Sequence, residues 1–186
     1  MDPYSSATVS GNSTDTINTR AFLQQAVDHY PRLAAFSFTL GLPYCESMAD
    51  YRSLILRFHN EVWQRIVEYS WERQQERHNS PPTILRWMWE SASAPACRMV
   101  LLLNLDTLVD GRNVQLIERA QREISEMLSD AWLTVSSDDR YGVTSITPII
   151  LNRSGRGVFT EPFNLLRSQV LTMQAPVATA RTGVTG

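Results

Sequence analysis

Lysine is absent from this chain of 186 residues, and all 17 of its cationic side chains are arginine. The absence excludes reactions that need a lysine amine, such as Schiff-base formation, and phosphate loops that depend on a lysine. Two explanations of the bias stay open. A GC-rich genome favours arginine codons, or guanidinium groups are needed to contact phosphate or carboxylate groups through paired hydrogen bonds.

Other absences narrow the class of protein further. The only two cysteines, Cys45 and Cys97, are far apart and share no motif, so we expect reduced, buried thiols and a cytoplasmic protein. No apolar run approaches the roughly 18 residues of a membrane-spanning helix, and no basic N-terminal region precedes an apolar one. The net charge of −2 gives no general basic excess for binding nucleic acid.

Composition predicts the extent of the folded part. Hydrophobic residues make up 43% of the chain, which is enough for one core. Residues 1–17 are rich in Ser, Thr, Gly, Asn and Asp, and they predict a disordered lead. Residues 175–186 are mostly small or polar, and they predict a disordered tail. We therefore expect a single domain over residues 18–174.

The spacing of apolar residues predicts two long helices and four strands. A period of two residues, or a short apolar run, is typical of a strand, and steps of three and four residues are typical of a helix. Pro148 predicts that the last strand lies at a sheet edge, because proline donates no main-chain hydrogen bond. The expected elements are strands at 32–42, 83–90, 97–106 and 143–151, long helices at 48–78 and 113–135, and short helices at 17–30 and 161–173.

This order of elements predicts an α+β fold of the ferredoxin-like, split βαβ type. In that fold a four-stranded antiparallel sheet carries two long helices on one face. The apolar run from Cys97 to Asp106 predicts a strand near the middle of the sheet. The other face of the sheet is then left for the two terminal segments or for a ligand.

The middle strand also carries a resemblance to a known family. The sequence Val-Leu-Leu-Leu-Asn-Leu-Asp at positions 100–106 precedes a helix that ends in Ala131 and Trp132. Together with the long aromatic helix and the hairpin, these features resemble the YagK/YfjJ C-terminal domain, the inovirus replication-protein family of prophages. The resemblance extends over residues 32–173. It implies a fold similar to that of rolling-circle replication initiators of the HUH type.

In such initiators, two histidines on the central strand bind a divalent metal, and a tyrosine on a later helix attacks a DNA phosphodiester. The matching positions of this chain are Ala96, Cys97, Arg98 and Val170. Ala96 offers no metal ligand, and Arg98 is a permanent cation that would repel the ion. No tyrosine follows Tyr141. The resemblance, with these departures, implies a protein that does not nick DNA and holds neither a metal nor another cofactor.

Other candidate groups have structural explanations. His29, His59 and His78 share no metal-ligand spacing, and His59 suits the core or the surface of the long helix. The five tryptophans would be able to stack on the bases of single-stranded DNA. Each of them lies in or beside an apolar stripe, however, and that pattern favours a place in the core.

The resemblance and its departures therefore imply a catalytically inactive relative of replication initiators, which we expect to bind single-stranded or hairpin DNA on the open sheet face. The candidate DNA-binding residues are Arg86, Arg98, Arg153 and Arg156. Arg86 and Arg98 would contact phosphates, or would instead pair with acidic neighbours such as Glu90. A second hypothesis is a module or regulator that binds a related initiator or a host protein and no DNA. We expect no membrane partner.

Overall fold

The computed structural model describes residues 12–30, 32–76, 84–90, 96–108, 114–136, 140–152, 160–173 and 176–182. In chain order these residues form α1 (Asn12–His29), β1 (Arg32–Gly41), α2 (Met48–Glu76), β2 (Ile84–Glu90), β3 (Ala96–Asn104), α3 (Leu105–Leu108), α4 (Val114–Ser136), β4 (Gly142–Asn152), α5 (Thr160–Leu171) and β5 (Pro176–Thr182). The six elements expected between residues 32 and 151 are all present, with bounds within two residues of the prediction.

The five strands form one antiparallel sheet in the order β4-β1-β3-β2-β5. The fold is therefore α+β with an antiparallel sheet, but the expected count of four strands was wrong. The additional strand is β5, which pairs with β2 from Ile84↔Thr182 to Glu90↔Pro176 in the region expected to be a disordered tail. This pairing supplies hydrogen-bond partners to an otherwise exposed strand edge. The edge position that Pro148 predicted for β4 is confirmed.

β3 is the central strand, as its composition predicted, and its residues from Met99 to Asn104 are all buried. Leu101 lies opposite Phe36 of β1 and Trp87 of β2. Since alternate side chains point to opposite faces of a sheet, Leu101 packs in one core cluster and Leu102 in the other. A strand that is apolar on both sides requires a layer of structure on each face.

α2 and α4 cover one face of the sheet, which we call the first face. Phe58 of α2 makes edge-on ring contacts with Trp87 of β2 and Trp132 of α4, at centroid distances of 6.2 and 6.3 Å. Ser47 caps α2, because its Oγ accepts a hydrogen bond from the main-chain N–H of Asp50 at 3.2 Å. The two long helices thus lie on one side of the sheet, as the sequence predicted.

α1 and α5 cover the opposite face, which we call the second face. Leu23 and Val27 of α1 and Leu166 of α5 are buried against it. Ser37 of β1 also donates a hydrogen bond to Oε1 of Gln169 on α5 at 2.7 Å. Of the two alternatives for this face, cover by the terminal segments is confirmed, and the open face expected for DNA is corrected. Apolar residues of the two segments bury the face, since leaving it in water would expose the apolar side of β3.

Gly142, the first residue of β4, explains why the helix α4 packs so closely on this strand. Its φ of +119° lies in a region that favours glycine, and a Cβ there would be 2.8 Å from Cδ1 of the buried Trp132. Gly41 lies opposite on β1, and a Cβ at Gly41 would meet no atom nearer than 3.6 Å. Of these two glycines, only Gly142 is required for the close contact between β4 and Trp132.

The N-terminal helix is longer than expected. α1 begins at Asn12, within the predicted disordered lead, rather than near residue 17. Its later turns are anchored by buried residues such as Leu23, and an anchored helix extends more readily than one that must nucleate alone. Arg153 and Arg156 lie outside the described residues, so the DNA-binding role predicted for them stays a prediction.

Candidate functional site

Arg98 lies on β3 opposite Thr39 of β1, and its side chain forms an ion pair with Glu90 of β2. Nε of Arg98 donates to Oε1 of Glu90 at 3.0 Å, and Nη2 donates to Oε2 at 3.1 Å. This two-point geometry is the strong form of an arginine–carboxylate pair. The Glu90 side chain is only 5% exposed, whereas that of Arg98 is 41% exposed. The alternative that Arg98 pairs with Glu90 is thereby confirmed.

The end of α5 adjoins the same arginine. Nη1 of Arg98 donates to Oγ1 of Thr172 at 2.8 Å, and Nη2 donates to the Thr172 carbonyl oxygen. Val170, which the resemblance aligns with a tyrosine, is fully buried two residues earlier. The strand and the helix that the resemblance associates with the metal and the tyrosine therefore lie side by side. In this chain they hold an ion pair and a buried valine.

A small groove of about 220 Å³ lies beside Arg98. Its polar lining consists of Ser37, Thr39, Ser145, Thr147 and Gln169 in addition to the arginine. Within the described ranges, no group of three or more His, Cys, Asp or Glu side chains is placed to hold a metal ion. Because the Glu90 carboxylate balances the charge of Arg98, a phosphate in this groove would meet little net positive charge.

Arg86 lies on β2 opposite Leu102 of β3 and Ala180 of β5. It is 7% exposed, and its Nη1 is buried without a hydrogen-bond partner. Burial lowers the pKa of this guanidinium from its ordinary value, and the neighbouring Tyr30 opposes that change. A DNA backbone outside the protein therefore has little access to Arg86.

Arg86 and Arg98 do not form one basic site. Glu90, the partner of Arg98, lies on the same strand as Arg86 but four residues away. That separation corresponds to about 13 Å along a strand. The two arginines lie on the same face of the sheet, as expected, but they do not share a basic site, because one is in an ion pair and the other is buried.

His59 and most tryptophans belong to the core. The His59 ring stacks on Trp87 with a centroid distance of 4.0 Å and planes 13° apart, and the residue is 7% exposed. Trp87, Trp89 and Trp132 are buried, which confirms their predicted core positions. Trp71 differs, because it is 59% exposed on the polar end of α2. Stacking on DNA bases is thus not available to the three buried rings.

A larger groove, of about 980 Å³, lies between the first turns of α2 and the last turn of α4, and we call it the α2–α4 groove. Buried apolar residues form its floor, while Met48 and Leu56 at its rim are 53% and 47% exposed. The floor residues include Leu42, Tyr51, Ile55 and Trp89. Exposed apolar residues beside a concave surface are typical of a binding site.

Two carboxylates line the α2–α4 groove, and each has an arginine partner that does not line it. Glu61 lies 3.3 Å from Arg65, one helical turn further along α2. Glu90 pairs with Arg98 on β3, as described above. These two negative charges are therefore balanced from outside the groove.

Two arginines also line the groove, and they have no carboxylate partner within the described residues. Arg57 donates to the carbonyl oxygen of Val135 at 3.3 Å, and Arg52 is exposed. Sequence reasoning missed both arginines, because it used α2 only to find core positions. The available signal was the four-residue spacing of Met48, Arg52 and Leu56, which places apolar and cationic side chains on one helix stripe.

The two cysteines are free, as predicted, and Cys97 is buried, whereas the expected burial of Cys45 is corrected, because it is only partly buried. Neither cysteine is an activated nucleophile. Burial raises the pKa of Cys97 to about 12, and its Sγ donates to the carbonyl oxygen of Glu90 at 3.0 Å. For Cys45, burial and then the charge of Asp50 raise the pKa of the thiol. Since a thiolate is the reactive form, these environments oppose nucleophilic chemistry at both positions.

Comparison with known proteins assigns the chain to a family. The sequence profile described as "Uncharacterised conserved protein UCP030791" matches residues 9–146, which is more than half of the chain. The chain belongs to this family. The UCP030791 match begins before α1 and ends within β4, so it includes the α2–α4 groove and Arg98, whereas α5 and β5 follow it. No curated protein and no solved structure matches the chain.

The helices of the described segments also bear on membrane association. None of them combines the length and the hydrophobicity that a bilayer-spanning helix requires.

Proposed function

We propose that this protein is a non-catalytic binding protein whose α2–α4 groove holds an acidic, partly apolar segment of a protein partner. Of the two hypotheses that the sequence left open, this one is the protein-interaction module. The unit β1-α2-β2-β3-α4-β4 would be a ferredoxin-like, split βαβ core of the kind found in replication initiators. The partner that binds in the groove would then be a related initiator or a host protein.

The observation that carries the proposal is the charge of the groove. Arg52 and Arg57 have no carboxylate partner among the described residues, and they lie beside the exposed side chains of Met48 and Leu56. A carboxylate of a partner would accept paired hydrogen bonds from a guanidinium. Apolar residues of the same segment would cover the rim, and each buried methylene contributes about 0.8 kcal/mol. Both features are met by an acidic amphipathic peptide.

Polypeptide is favoured over DNA by the same residues. Affinity for a phosphate backbone comes from several cations acting together, and the groove offers only Arg52 and Arg57 without carboxylate partners, counted within the described residues. The overall charge of −2 adds repulsion rather than attraction. Phosphates would also leave the apolar rim of Met48 and Leu56 uncovered.

Selection from a displayed library of random peptides tests the proposal and does not require the partner to be identified first. The protein is compared with a groove variant, Arg52→Glu/Arg57→Glu. A control variant, Arg20→Glu/Arg119→Glu, has the same charge change at exposed positions on α1 and α4. We expect the selected peptides to be rich in Asp and Glu with interspersed Leu, Phe or Met. They should bind the groove variant at least about tenfold more weakly, a loss of about 1.4 kcal/mol, and the control variant normally.

Two results would overturn the proposal. If the selected peptides bind the groove variant as tightly as the native protein, the groove is not the binding site. If labelled single-stranded or hairpin DNA binds with a steep salt dependence that only the groove variant loses, the groove binds phosphates instead. In that second case the DNA hypothesis from the sequence would replace the protein hypothesis, with Arg52 and Arg57 as its residues.

A further inference from the structure

Arg86 is a buried cation without a counterion in the described part of the chain. The residue is 7% exposed, and its Nη1 reaches no hydrogen-bond partner. A guanidinium does not lose its proton in a protein, so burial does not remove the charge. Tyr30 favours the charged form of the side chain, but no carboxylate of the described residues pairs with it. A buried charge without such a partner strongly disfavours the folded state. An anion that accepted hydrogen bonds from Arg86 would therefore stabilise the folded protein.

The surroundings of Arg86 are apolar on the second face. Met88 on the same strand and Leu102 on β3 belong to the buried cluster of that face. Tyr30, which directly follows α1, accepts a hydrogen bond from the main-chain N–H of Ile84 at 2.9 Å, and this contact places the end of α1 beside the first residue of β2. The arginine thus lies among apolar side chains of the sheet, with Tyr30 as a polar neighbour.

Among the side chains that the structure describes on the elements beside Arg86, none is a carboxylate placed to balance its charge. β5, the strand paired with Arg86, has the sequence Pro-Val-Ala-Thr-Ala-Arg-Thr and contains no acidic residue. On α1, Asp28 is exposed and accepts a hydrogen bond from Gln24 at 2.9 Å. The position is therefore unlike that of Arg98, which has Glu90 on the adjacent strand.

We propose that Arg86 anchors a binding site for one small oxyanion, a phosphate, sulfate or carboxylate group, on the second face beneath the end of α1. The planar guanidinium presents two parallel N–H donors, and such an oxyanion accepts both of them. This site is distinct from the α2–α4 groove and does not depend on the function proposed for it. One bound oxyanion is sufficient, because the guanidinium of Arg86 carries a single positive charge.

Thermal unfolding of the full chain in titrations of phosphate, sulfate and acetate tests the site. Each titration replaces chloride at constant ionic strength and pH, so that only the identity of the anion changes. Excluded anions stabilise any protein in a nearly linear way, whereas a bound anion stabilises it in a saturable way. We expect a saturable rise in Tm for the native protein with at least one oxyanion, and the comparison of phosphate with acetate separates a phosphate site from a carboxylate site.

Variants at Arg86 make the test specific. Arg86→Met keeps the volume and removes the charge, and Arg86→Lys keeps the charge and removes the paired donors. We expect Arg86→Met to lose the saturable rise, Arg86→Lys to bind at least tenfold more weakly, and Arg119→Met, at an exposed arginine, to behave as the native protein. In chloride alone, Arg86→Met should be no less stable than the native protein.

A direct measurement keeps the proposal falsifiable if Arg86→Met does not fold. The side-chain Nε–Hε resonance of Arg86 in the native protein should shift on addition of the binding oxyanion and saturate at the same concentration as the Tm. An unchanged resonance with all three anions, or equal saturable rises in the native protein and Arg86→Met, would overturn the site.

Discussion

The carboxylate of Glu90 accepts hydrogen bonds from Nε and Nη2 of Arg98, at 3.0 and 3.1 Å, beside the strand where the resemblance to replication initiators expects metal ligands. A guanidinium and a metal ion each balance the charge of a carboxylate. Only a metal ion, however, also acts as a Lewis acid on a phosphate or generates a nucleophilic hydroxide. The pair therefore gives this part of the sheet a stable arrangement that does not require a metal.

The first prediction is an asymmetry between the two partners of this ion pair. Arg98→Met leaves the carboxylate of Glu90 buried and unpaired, whereas Glu90→Gln leaves an arginine that reaches water. We expect Arg98→Met to lower the free energy of unfolding by about 2–3 kcal/mol and Glu90→Gln by about 1 kcal/mol. Urea denaturation measures both values. Arg119→Met, which removes an exposed pair with Glu123, is the control, and a larger loss for Glu90→Gln would refute the asymmetry.

The second prediction concerns DNA chemistry. Val170 is fully buried where the resemblance aligns a tyrosine, and no tyrosine occurs after Tyr141 in the sequence. We expect no cleavage of single-stranded or hairpin DNA in the presence of Mn²⁺, and no covalent adduct between the protein and a 5′-labelled fragment. Denaturing gel electrophoresis detects both products. A labelled adduct that survives denaturation would contradict the prediction.

The third prediction separates two glycines that lie opposite each other. Gly142→Ala combines a disfavoured φ of +119° with a Cβ 2.8 Å from the Trp132 ring, whereas Gly41→Ala meets no atom nearer than 3.6 Å. We expect Gly142→Ala to cost about 2–4 kcal/mol of unfolding free energy and Gly41→Ala less than about 1 kcal/mol. Chemical denaturation of the two variants measures the difference. Similar costs would show that Trp132 is not held closely against β4.

The fourth prediction concerns the thiols. Cys97 is 1% exposed and burial raises its pKa to about 12, while Cys45 is only partly buried. We expect a disulfide reagent at mildly alkaline pH to label Cys45 in the folded protein and Cys97 only after unfolding. Cys45→Ala should then release no thiol signal until denaturant is added. Rapid labelling of folded Cys45→Ala would contradict the buried environment of Cys97.

The same thiol gives a pH dependence with a definite sign. In the unfolded chain Cys97 ionises near its ordinary pKa of 9.0, but in the folded protein its pKa is about 12. The folded state thus binds the proton more tightly, so stability decreases as pH rises between these two values, by about 1.4 kcal/mol per pH unit. The difference in unfolding free energy between the native protein and Cys97→Ala should shrink over this range. A constant difference would show that the thiol is not protected.

The sequence predicted the strands and helices whose own residues show a periodic or continuous apolar pattern. The alternation of Phe36 and Phe38 in β1, the apolar run of β3 and the three- and four-residue steps of α2 are local signals, and all three elements are present. β5 had no such signal, since its small and polar residues form a strand only because β2 offers an unpaired edge. Strand pairing of this kind depends on neighbours distant in the chain.

The candidate sites were less predictable than the fold. Pairing of Arg98 with Glu90 followed from the hairpin, and the sequence already offered it as an alternative. The burial of Arg86 could not be predicted from the hairpin, because it depends on α1, which covers a sheet face that was expected to bind DNA. The candidate role of Arg52 and Arg57 depends on the groove that the end of α4 forms with α2, and the sequence of α2 alone does not indicate that groove.

The central claim, that Arg52 and Arg57 bind an acidic segment of a protein, is tested most directly by exchanging the charges across the interface. An acidic peptide obtained by selection is synthesised with a fluorescent label, and a second peptide replaces each of its acidic residues by lysine. Anisotropy measures the binding of both peptides to the native protein and to Arg52→Glu/Arg57→Glu. We expect the acidic peptide to bind only the native protein and the lysine peptide to bind only the variant. Equal binding of the acidic peptide to both proteins would contradict the claim.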